Sequence, residues 1–154
     1  MTLYFAYGSN MHRAAMQARC PNARALGAAK LDSYKFFIGV DGWGSVKPAP
    51  GESVHGVLWR LTPRDWAILN AYENLDSNLY RRRPVSVVAA GQRVRAIAYV
   101  ARGRTLGRPK PGYLDTVIAA ATEWELPADY VRALGRWSAA RSGGMRAPDV
   151  GEMR

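Results

Sequence analysis

Strand-forming runs dominate the first part of this chain, and helical patterns follow one another at its end. Runs rich in aromatic and aliphatic residues, bounded by Gly, Pro or Asn, predict strands within residues 3–7, 25–40, 54–61, 79–90 and 93–101. Helical spacing predicts helices at residues 11–19, 63–75, 113–124 and 128–137. This order predicts an α+β fold with a curved, mainly antiparallel sheet.

The start of the second helix carries the strongest local signal in the chain. Thr62 is a good N-cap, Pro63 suits the first helical position, and Asp65 stands where a capping box needs an acid. The first helix is less sharply marked, and we expect Ser9 or Asn10 to cap it.

The length of the chain is that of a single domain. Its 154 residues, 48% of them hydrophobic, suffice for a core without disulfides or metal. Residues 41–52 and 102–112 are rich in Gly and Pro and are predicted as long loops. We expect residues 1–140 to form the folded domain and residues 141–154 to form a disordered C-terminal tail.

Several classes of protein are excluded by what the chain lacks. Its single cysteine, Cys20, permits neither an internal disulfide nor a Cys-rich zinc site. No apolar run approaches the roughly 18 residues that a membrane span needs, and the first ten residues lack the features of a secretory signal. We therefore expect a cytoplasmic protein without a membrane partner.

The strong positive charge raises the question of a nucleic-acid partner. With 22 Lys and Arg against 12 Asp and Glu, the formal charge is +10. The cations are almost all Arg and are scattered, apart from the run at residues 81–83, whose side chains alternate between the two faces of a predicted strand. This composition is typical of a GC-rich bacterial genome, and we expect no nucleic-acid partner.

The first candidate for chemistry is the turn between the first strand and the first helix. Tyr7, Gly8, Ser9 and Asn10 form a Gly-containing strand-to-helix turn, which points several backbone N–H groups at one spot. Such a turn can hold a carboxylate or an oxyanion. The alternative is an ordinary capping turn with no ligand, and the turn by itself does not decide between them.

The second candidate is Glu73, on the apolar side of the second helix. It lies seven residues after Trp66 and four after Leu69, so it projects on their side of the helix. A carboxylate beside an apolar stripe is partly desolvated, which raises its pKa and suits it to accept a proton near neutral pH. The alternative is an edge residue that reaches solvent. His12 and His55 lack partners at metal-ligand or triad spacing, so both are expected to be structural.

Several motifs in order resemble those of the γ-glutamylcyclotransferase family. Residues 4–11 (YFAYGSNM) resemble the family's opening motif, and residues 50–59 (PGESVHGVLW) are similar to its PG-x-x-V-x-G-V strand. Residues 69–73 (LNAYE) fall where the family carries its catalytic Glu. Three later segments also match, at residues 80–82, 109–113 and 126–130, and the resemblance spans roughly residues 2–138.

The resemblance implies a fold, a reaction and a set of site residues. The fold is a small mixed, mainly antiparallel β-barrel-like sheet with flanking helices, in a catalytic domain over residues 1–140. The reaction cyclises a γ-glutamyl amino acid to 5-oxoproline and releases the free amine, without metal or cofactor. Glu73 would be the general acid/base, and Tyr80 and Tyr113 would line the substrate pocket together with the turn at residues 7–10. Asn70 and Asn74 depart from the family's usual Asp and Gly.

Other activities stay open at this point. A cyclotransferase for γ-glutamyl amines, or for a γ-glutamyl-protected biosynthetic intermediate, would carry the same motifs. A protein of another class, which binds a small anion or nucleic acid without turnover, is the third alternative. The expected partner is a small γ-glutamyl substrate, in a monomer or a homodimer.

Overall fold

The computed structural model describes residues 2–73 and 79–139 of the chain. Within them, the strands are β1 (Leu3–Ala6), β2 (Arg24–Ile38), β3 (Gly44–Arg60), β4 (Tyr80–Ala89) and β5 (Gln92–Ala101). The helices are α1 (Arg13–Arg19), α2 (Pro63–Tyr72), α3 (Tyr113–Glu123) and α4 (Ala128–Ala139), and a short 3₁₀ turn (Ser9–Met11) precedes α1. The order of elements agrees with the order predicted from the sequence. The predicted tail at residues 141–154 lies outside the described residues.

The five strands close into a barrel in the order β1-β3-β2-β4-β5. All neighbouring pairs are antiparallel except β1 and β5, which close the barrel in parallel with Tyr4 opposite Ile97. The predicted fold class, a mixed and mainly antiparallel barrel-like sheet with flanking helices, is confirmed. Closure of the barrel brings the ends of β1 and β5 next to each other, and residues of both strands line the candidate site.

The loop predicted at residues 41–52 is wrong for most of its length. The turn after β2 ends at Trp43, and residues 44–48 pair with residues 34–38 of β2. The Pro- and Gly-containing residues 49–52 form an irregularity in β3 opposite Ser33, whose φ is 64°. A bulge tolerates Pro because no ladder hydrogen bond is required of it there, so Pro and Gly interrupt the pairing locally without ending the strand.

The start of the first helix also differs from the prediction. Ser9 and Asn10 lie in the 3₁₀ turn, and the residue that caps α1 is His12, whose Nδ1 accepts a hydrogen bond from the Ala15 N–H at 3.1 Å. His12 therefore has a structural role, as expected. Because His12 caps the helix, Ser9 and Asn10 are not needed as caps.

The start of α2 is as the sequence predicts. Thr62 Oγ1 accepts from the Asp65 N–H at 3.1 Å, and the Asp65 carboxylate accepts from the Thr62 N–H at 3.0 Å. The helix ends at Tyr72, three residues before the predicted end at Leu75, which lies outside the described residues. Glu73 therefore follows the helix directly, as its C-cap.

The β4–β5 hairpin turns at residues 90–91, whereas the predicted strands at 79–90 and 93–101 place the turn one residue later, at 91–92. Ala90 and Gly91 have φ values of 51° and 77°, the pattern of a type I′ turn, which matches the twist of the two strands. The Arg run on β4 has unlike neighbours, as alternation predicts: Arg82 stacks on the Trp66 ring at 4.6 Å, and Arg83 donates to the Tyr34 hydroxyl at 3.1 Å. Among the described helices, none is long and apolar enough to span a membrane.

Candidate active site

A cleft lies at one end of the barrel, where the end of β1 meets the starts of β3, β4 and α3 and the end of α2. Its empty space, together with the part that is open to solvent, is about 350 Å³. The residues that line it are Tyr4, Tyr7, Gly8, Ser9, Asn10, Trp43, Gly44, Glu73, Tyr80, Tyr99 and Tyr113. The structure thus brings all seven residues predicted from the sequence, which are distant along the chain, to one place.

Four of the lining residues were missed by the sequence analysis. Tyr4 and Tyr99 lie in strands, where an aromatic residue is equally typical of the core. Trp43 and Gly44 belong to a segment, Gly42-Trp43-Gly44, that lacks the Lys and helix of a phosphate-binding loop. No signal in the single sequence indicates Trp43 and Gly44, and the pairing of β2 with β3 places them at the cleft.

The turn after β1 supplies polar groups to the cleft. In the 3₁₀ turn the Met11 N–H donates to the Gly8 carbonyl at 3.0 Å, whereas the N–H groups of Ser9 and Asn10 are the first of the turn and find no carbonyl acceptor within it. Ser9 Oγ is buried and, among the described residues, has no hydrogen-bond partner. A buried hydroxyl without a partner is costly unless a ligand or water meets it, so the turn is suited to bind a polar group.

Two tyrosine hydroxyls are hydrogen-bonded to the backbone of Gly44, one to its N–H and one to its carbonyl. The Gly44 N–H donates to Tyr113 Oη at 3.0 Å, and Tyr80 Oη donates to the Gly44 carbonyl at 2.9 Å. A Cβ on Gly44 would lie 2.6 Å from Tyr113 Oη, and one on Gly8 would lie 2.7 Å from it. Both glycines are therefore needed for the hydroxyl to reach this position. Among the described residues Tyr113 Oη donates no hydrogen bond, so its proton can be donated into the cleft.

The remaining tyrosines of the cleft are bound to one another and to two Asn side chains. Tyr7 Oη donates to the backbone carbonyl of Tyr99, and Tyr99 Oη donates to Asn70 Oδ1 at 2.6 Å. Tyr4 Oη accepts from Asn10 Nδ2 at 2.9 Å. Asn70, one of the departures from the family pattern, thus holds the wall of the cleft as an acceptor, as an Asp at this position could.

Glu73 is the acidic group of the cleft, and only 7% of it is exposed. Burial raises the pKa of Tyr4, Tyr7, Tyr99 and Tyr113 above the ordinary value, and the negative charge of Glu73 raises each of them further. These four hydroxyls therefore keep their protons at neutral pH and serve as hydrogen-bond donors or acceptors. Among the described residues that line the cleft, Glu73 is the sole carboxylate.

The described residues offer no alternative centre for nucleophilic or metal chemistry. No group of three or more His, Cys, Asp or Glu residues among them could hold a metal ion. His55 packs against the Tyr130 ring at 4.9 Å, and Cys20 is fully buried outside the cleft. His55 thus has the structural surroundings that were expected of it.

Comparison with known proteins places the chain in a family. A family model described as the AIG2-like family matches residues 53–134, which is more than half of the chain and includes Glu73, Tyr80 and Tyr113. The chain belongs to the AIG2-like family. The turn at residues 7–10 lies before the matched segment, so its place in the site rests on the geometry above.

Relatives of this AIG2-like chain carry a consistent name. It is 27% identical over 143 residues to the gamma-glutamylcyclotransferase of Homo sapiens, and this alignment covers 86% of this chain and 76% of the relative. The enzymes of the same name from Bos taurus and Mus musculus are also 27% identical. The resemblance drawn from the sequence is confirmed, and with it the expectation that the chain is an enzyme of that family.

Solved structures share the fold. A structure named gamma-glutamyl cyclotransferase superposes with a TM-score of 0.82 at 24% identity, covering 99% of this chain and 93% of the other. A yeast gamma-glutamyl cyclotransferase specific to glutathione superposes with a TM-score of 0.59 at 11% identity, covering 94% of this chain and 98% of the other. At these identities the likeness establishes the fold alone.

Proposed function

We propose that this protein is a γ-glutamylcyclotransferase that converts γ-glutamyl amino acids, or related γ-glutamyl amides, to 5-oxoproline and the free amine. The observation that carries the proposal is the position of Glu73. Its carboxylate is buried in a cleft that it shares with the Ser9–Asn10 turn and with tyrosine hydroxyls that keep their protons. A buried carboxylate surrounded by neutral donors can move a proton next to a substrate held by those donors.

The reaction needs one proton acceptor and a folded substrate. The α-amine of the glutamyl group loses a proton to Glu73 and attacks the δ-carbonyl carbon of its own side chain. The bond between that carbon and the nitrogen of the γ-glutamyl amide then breaks. The protonated Glu73 returns the proton to this nitrogen, which leaves as the free amine. Because the attack is intramolecular, much of the acceleration comes from holding the substrate in the ring-closing conformation, which can contribute several kcal/mol.

Two negative groups of the substrate require donors: the α-carboxylate and the oxyanion that develops on the δ-carbonyl oxygen. Among the described residues no Lys or Arg lines the cleft, so both are met by neutral donors. One donor set is the Ser9–Asn10 turn with the Ser9 hydroxyl, and the other is the hydroxyl of Tyr113 beside Gly44. We propose that each set serves one of the two groups. Donors already in place before the charge develops stabilise the transition state without reorganisation.

A product analysis tests the reaction. Incubation with γ-glutamyl dipeptides should yield 5-oxoproline and a free amino acid whose summed mass equals that of the substrate. Hydrolysis would add the mass of one water and yield glutamate. No turnover of any γ-glutamyl substrate, with binding of small anions or nucleic acid in its place, would contradict the proposal.

A pair of variants tests the role of Glu73. Glu73→Gln removes the proton acceptor with little change in shape, and we expect kcat/KM to fall by about 10²-fold or more. The matched control is Glu123→Gln, at an exposed position of α3, which should retain the activity of the parent protein. Parent-like activity in Glu73→Gln would remove Glu73 from the mechanism and leave the reaction itself to be explained by another group.

The identity of the acceptor, the amino acid or amine that is joined to the γ-glutamyl group, is a separate question from the reaction. The motifs are compatible with γ-glutamyl amino acids, γ-glutamyl amines and γ-glutamyl-protected intermediates. Comparing kcat/KM for γ-glutamyl-alanine, γ-glutamyl-ε-lysine and a γ-glutamyl alkylamine measures the contribution of the acceptor's carboxylate. We expect γ-glutamyl amino acids to be preferred, and a higher kcat/KM for the alkylamine would reverse that assignment.

A further inference from the structure

Arg19 lies outside the cleft but is connected to two of its walls. It is half-buried at the end of α1, and its guanidinium donates to Asn10 Oδ1. The same guanidinium stacks on the Tyr72 ring at 3.8 Å, next to Glu73 in the chain. Within the described residues it forms no ion pair with a carboxylate. The hydrogen bond of this half-buried Arg goes to a neutral amide and not to a carboxylate, which calls for an explanation.

The contact with Arg19 determines which way the Asn10 amide faces. The two ends of an Asn amide have nearly the same shape but opposite hydrogen-bonding character. Because Arg can only donate, it must meet the Oδ1 end, and the Nδ2 end is then directed at Tyr4 Oη, to which it donates at 2.9 Å. Turning the amide over would set two donors against each other at Arg19. Asn10 is 4% exposed, so water cannot readily relieve such a conflict.

The orientation of the amide decides what Tyr4 can do. With Asn10 Nδ2–H on its oxygen, Tyr4 acts as an acceptor on that side, and its own proton is left to point elsewhere. Among the described residues Tyr4 Oη accepts from Asn10 and donates no hydrogen bond of its own. Tyr4 lines the cleft together with Glu73, so the proton is available to a substrate oxygen there. With the amide reversed, Tyr4 would donate to Asn10 Oδ1 and the cleft would lose one donor.

We propose that Arg19 is a positioning residue for the reaction proposed above: by holding the Asn10 amide in one orientation, it directs the Tyr4 hydroxyl proton to the substrate. The proposal rests on the cyclotransferase function for its kinetic consequences but not for its structural ones. Asn10 then acts through its side chain as well as through the backbone N–H of the turn. Tyr4 becomes an additional donor to the reacting groups.

Kinetics of single and double variants test the pathway. Tyr4→Phe should lower kcat/KM by roughly 10- to 100-fold, as expected for one lost hydrogen bond to a charged group. Arg19→Met should lower it by roughly tenfold, and Arg19→Lys, which can still donate to Asn10 but loses the planar stacking on Tyr72, should recover part of the loss. In the Tyr4→Phe background Arg19→Met should add little, because both changes remove the same donor. Losses that multiply would overturn the proposal.

The chain offers a matched control on the same helix. Arg13 also stacks on an aromatic ring, that of Trp124, at 3.8 Å, but it has no contact with Asn10 among the described residues. Arg13→Met should keep the parent kcat/KM. An equal loss in Arg13→Met and Arg19→Met would mean that removing any stacked Arg from α1 is harmful, and the proposal would fall.

An NMR measurement separates this proposal from the cyclotransferase function. The side-chain amide signals of Asn10, identified by their disappearance in Asn10→Asp, should move in Arg19→Met and stay in place in Arg13→Met. Unmoved signals in Arg19→Met overturn the proposal whether or not the protein turns over γ-glutamyl substrates. Absence of turnover in the parent protein, with moved signals, instead contradicts the proposed function alone.

A second variant covers the case in which Arg19→Met does not fold. Asn10→Asp keeps an acceptor for Arg19 but loses the Nδ2 donor, so Tyr4 should donate to the new carboxylate and withdraw its proton from the cleft. We expect the loss in Asn10→Asp to match that in Tyr4→Phe. Parent-like kcat/KM in Asn10→Asp would overturn the proposal.

Discussion

Replacing Gly44 by Ala should lower both stability and activity, because the added methyl group would clash with Tyr113 and Phe36. A Cβ at this position would lie 2.6 Å from Tyr113 Oη and 2.7 and 2.9 Å from two ring carbons of Phe36. Ordinary contacts begin at 3.4 Å, so the closest atom would have to move by about 0.8 Å. Tyr113 and Phe36 are 2% and 7% exposed, and neither can move into solvent without disturbing the core.

The size of the effect follows from overpacking. Forcing a methyl group into a filled site costs about 1–3 kcal/mol. For a chain of this length each kcal/mol lowers the midpoint of thermal unfolding by about 2–4 °C. The same movement displaces the Tyr113 hydroxyl within the cleft, and a displacement approaching 1 Å can cost up to about 10²-fold in rate. We therefore expect Gly44→Ala to lose at least tenfold in kcat/KM.

Thermal unfolding and steady-state kinetics check this expectation against a control glycine. An added Cβ on Gly103 meets nothing within 4 Å, and its φ is not in the left-handed region, so Gly103→Ala should be neutral in both assays. Tyr113→Phe removes the atom nearest to the new methyl and should therefore cost less stability in the Gly44→Ala background than in the parent. A Gly44→Ala protein that behaves like Gly103→Ala, or strictly additive losses in stability, would refute the reasoning.

Three further predictions concern stability and reactivity. Thr62→Ala breaks the capping box with Asp65 and should lower the free energy of unfolding by about 1 kcal/mol in urea titrations, whereas an unchanged midpoint would contradict the cap. Burial raises the pKa of the fully buried Cys20 thiol to about 11, so a thiol reagent at pH 8 should react only after denaturation, and immediate labelling would contradict that burial. Burial lowers the pKa of His55 below 6.5, so the unfolded state takes up a proton at a higher pH than the folded state. The contribution of neutral His55 to the free energy of unfolding is therefore fully present above about pH 6.5 and is lost as pH falls through the pKa of the folded state. His55→Asn should flatten that part of the stability profile between about pH 8 and pH 5, and a profile parallel to that of the parent would count against it.

Features that depend on a few neighbouring residues were predicted well. The start of α2 is one example, because the two hydrogen bonds of the capping box join residues only three positions apart. The predicted order of strands and helices was right for the same reason, since alternation and helical spacing are local properties of the sequence.

Features that depend on distant partners were predicted poorly. The segment at residues 41–52 was assigned to a loop because of its Gly and Pro content, although residues 44–48 are held by β2. Local preference lost to sheet pairing there, and the Pro- and Gly-containing residues 49–52 were accommodated in a bulge. The helix start at residues 9–12 was misplaced for a related reason: both Ser9 and Asn10 have the chemistry of a cap, but His12 occupies the position.

The candidate site also combines features that depend on neighbouring residues with features that depend on distant partners. From the residues and the resemblance, the sequence by itself indicated Glu73, the turn at residues 7–10, Tyr80 and Tyr113, because their chemistry and motifs can be read one segment at a time. Only the tertiary structure showed that Gly44 receives two tyrosines and that Arg19 reaches Tyr4 through Asn10. Closure of the barrel brings these groups together, and the distances and hydrogen-bond directions that result belong to no single segment of the chain.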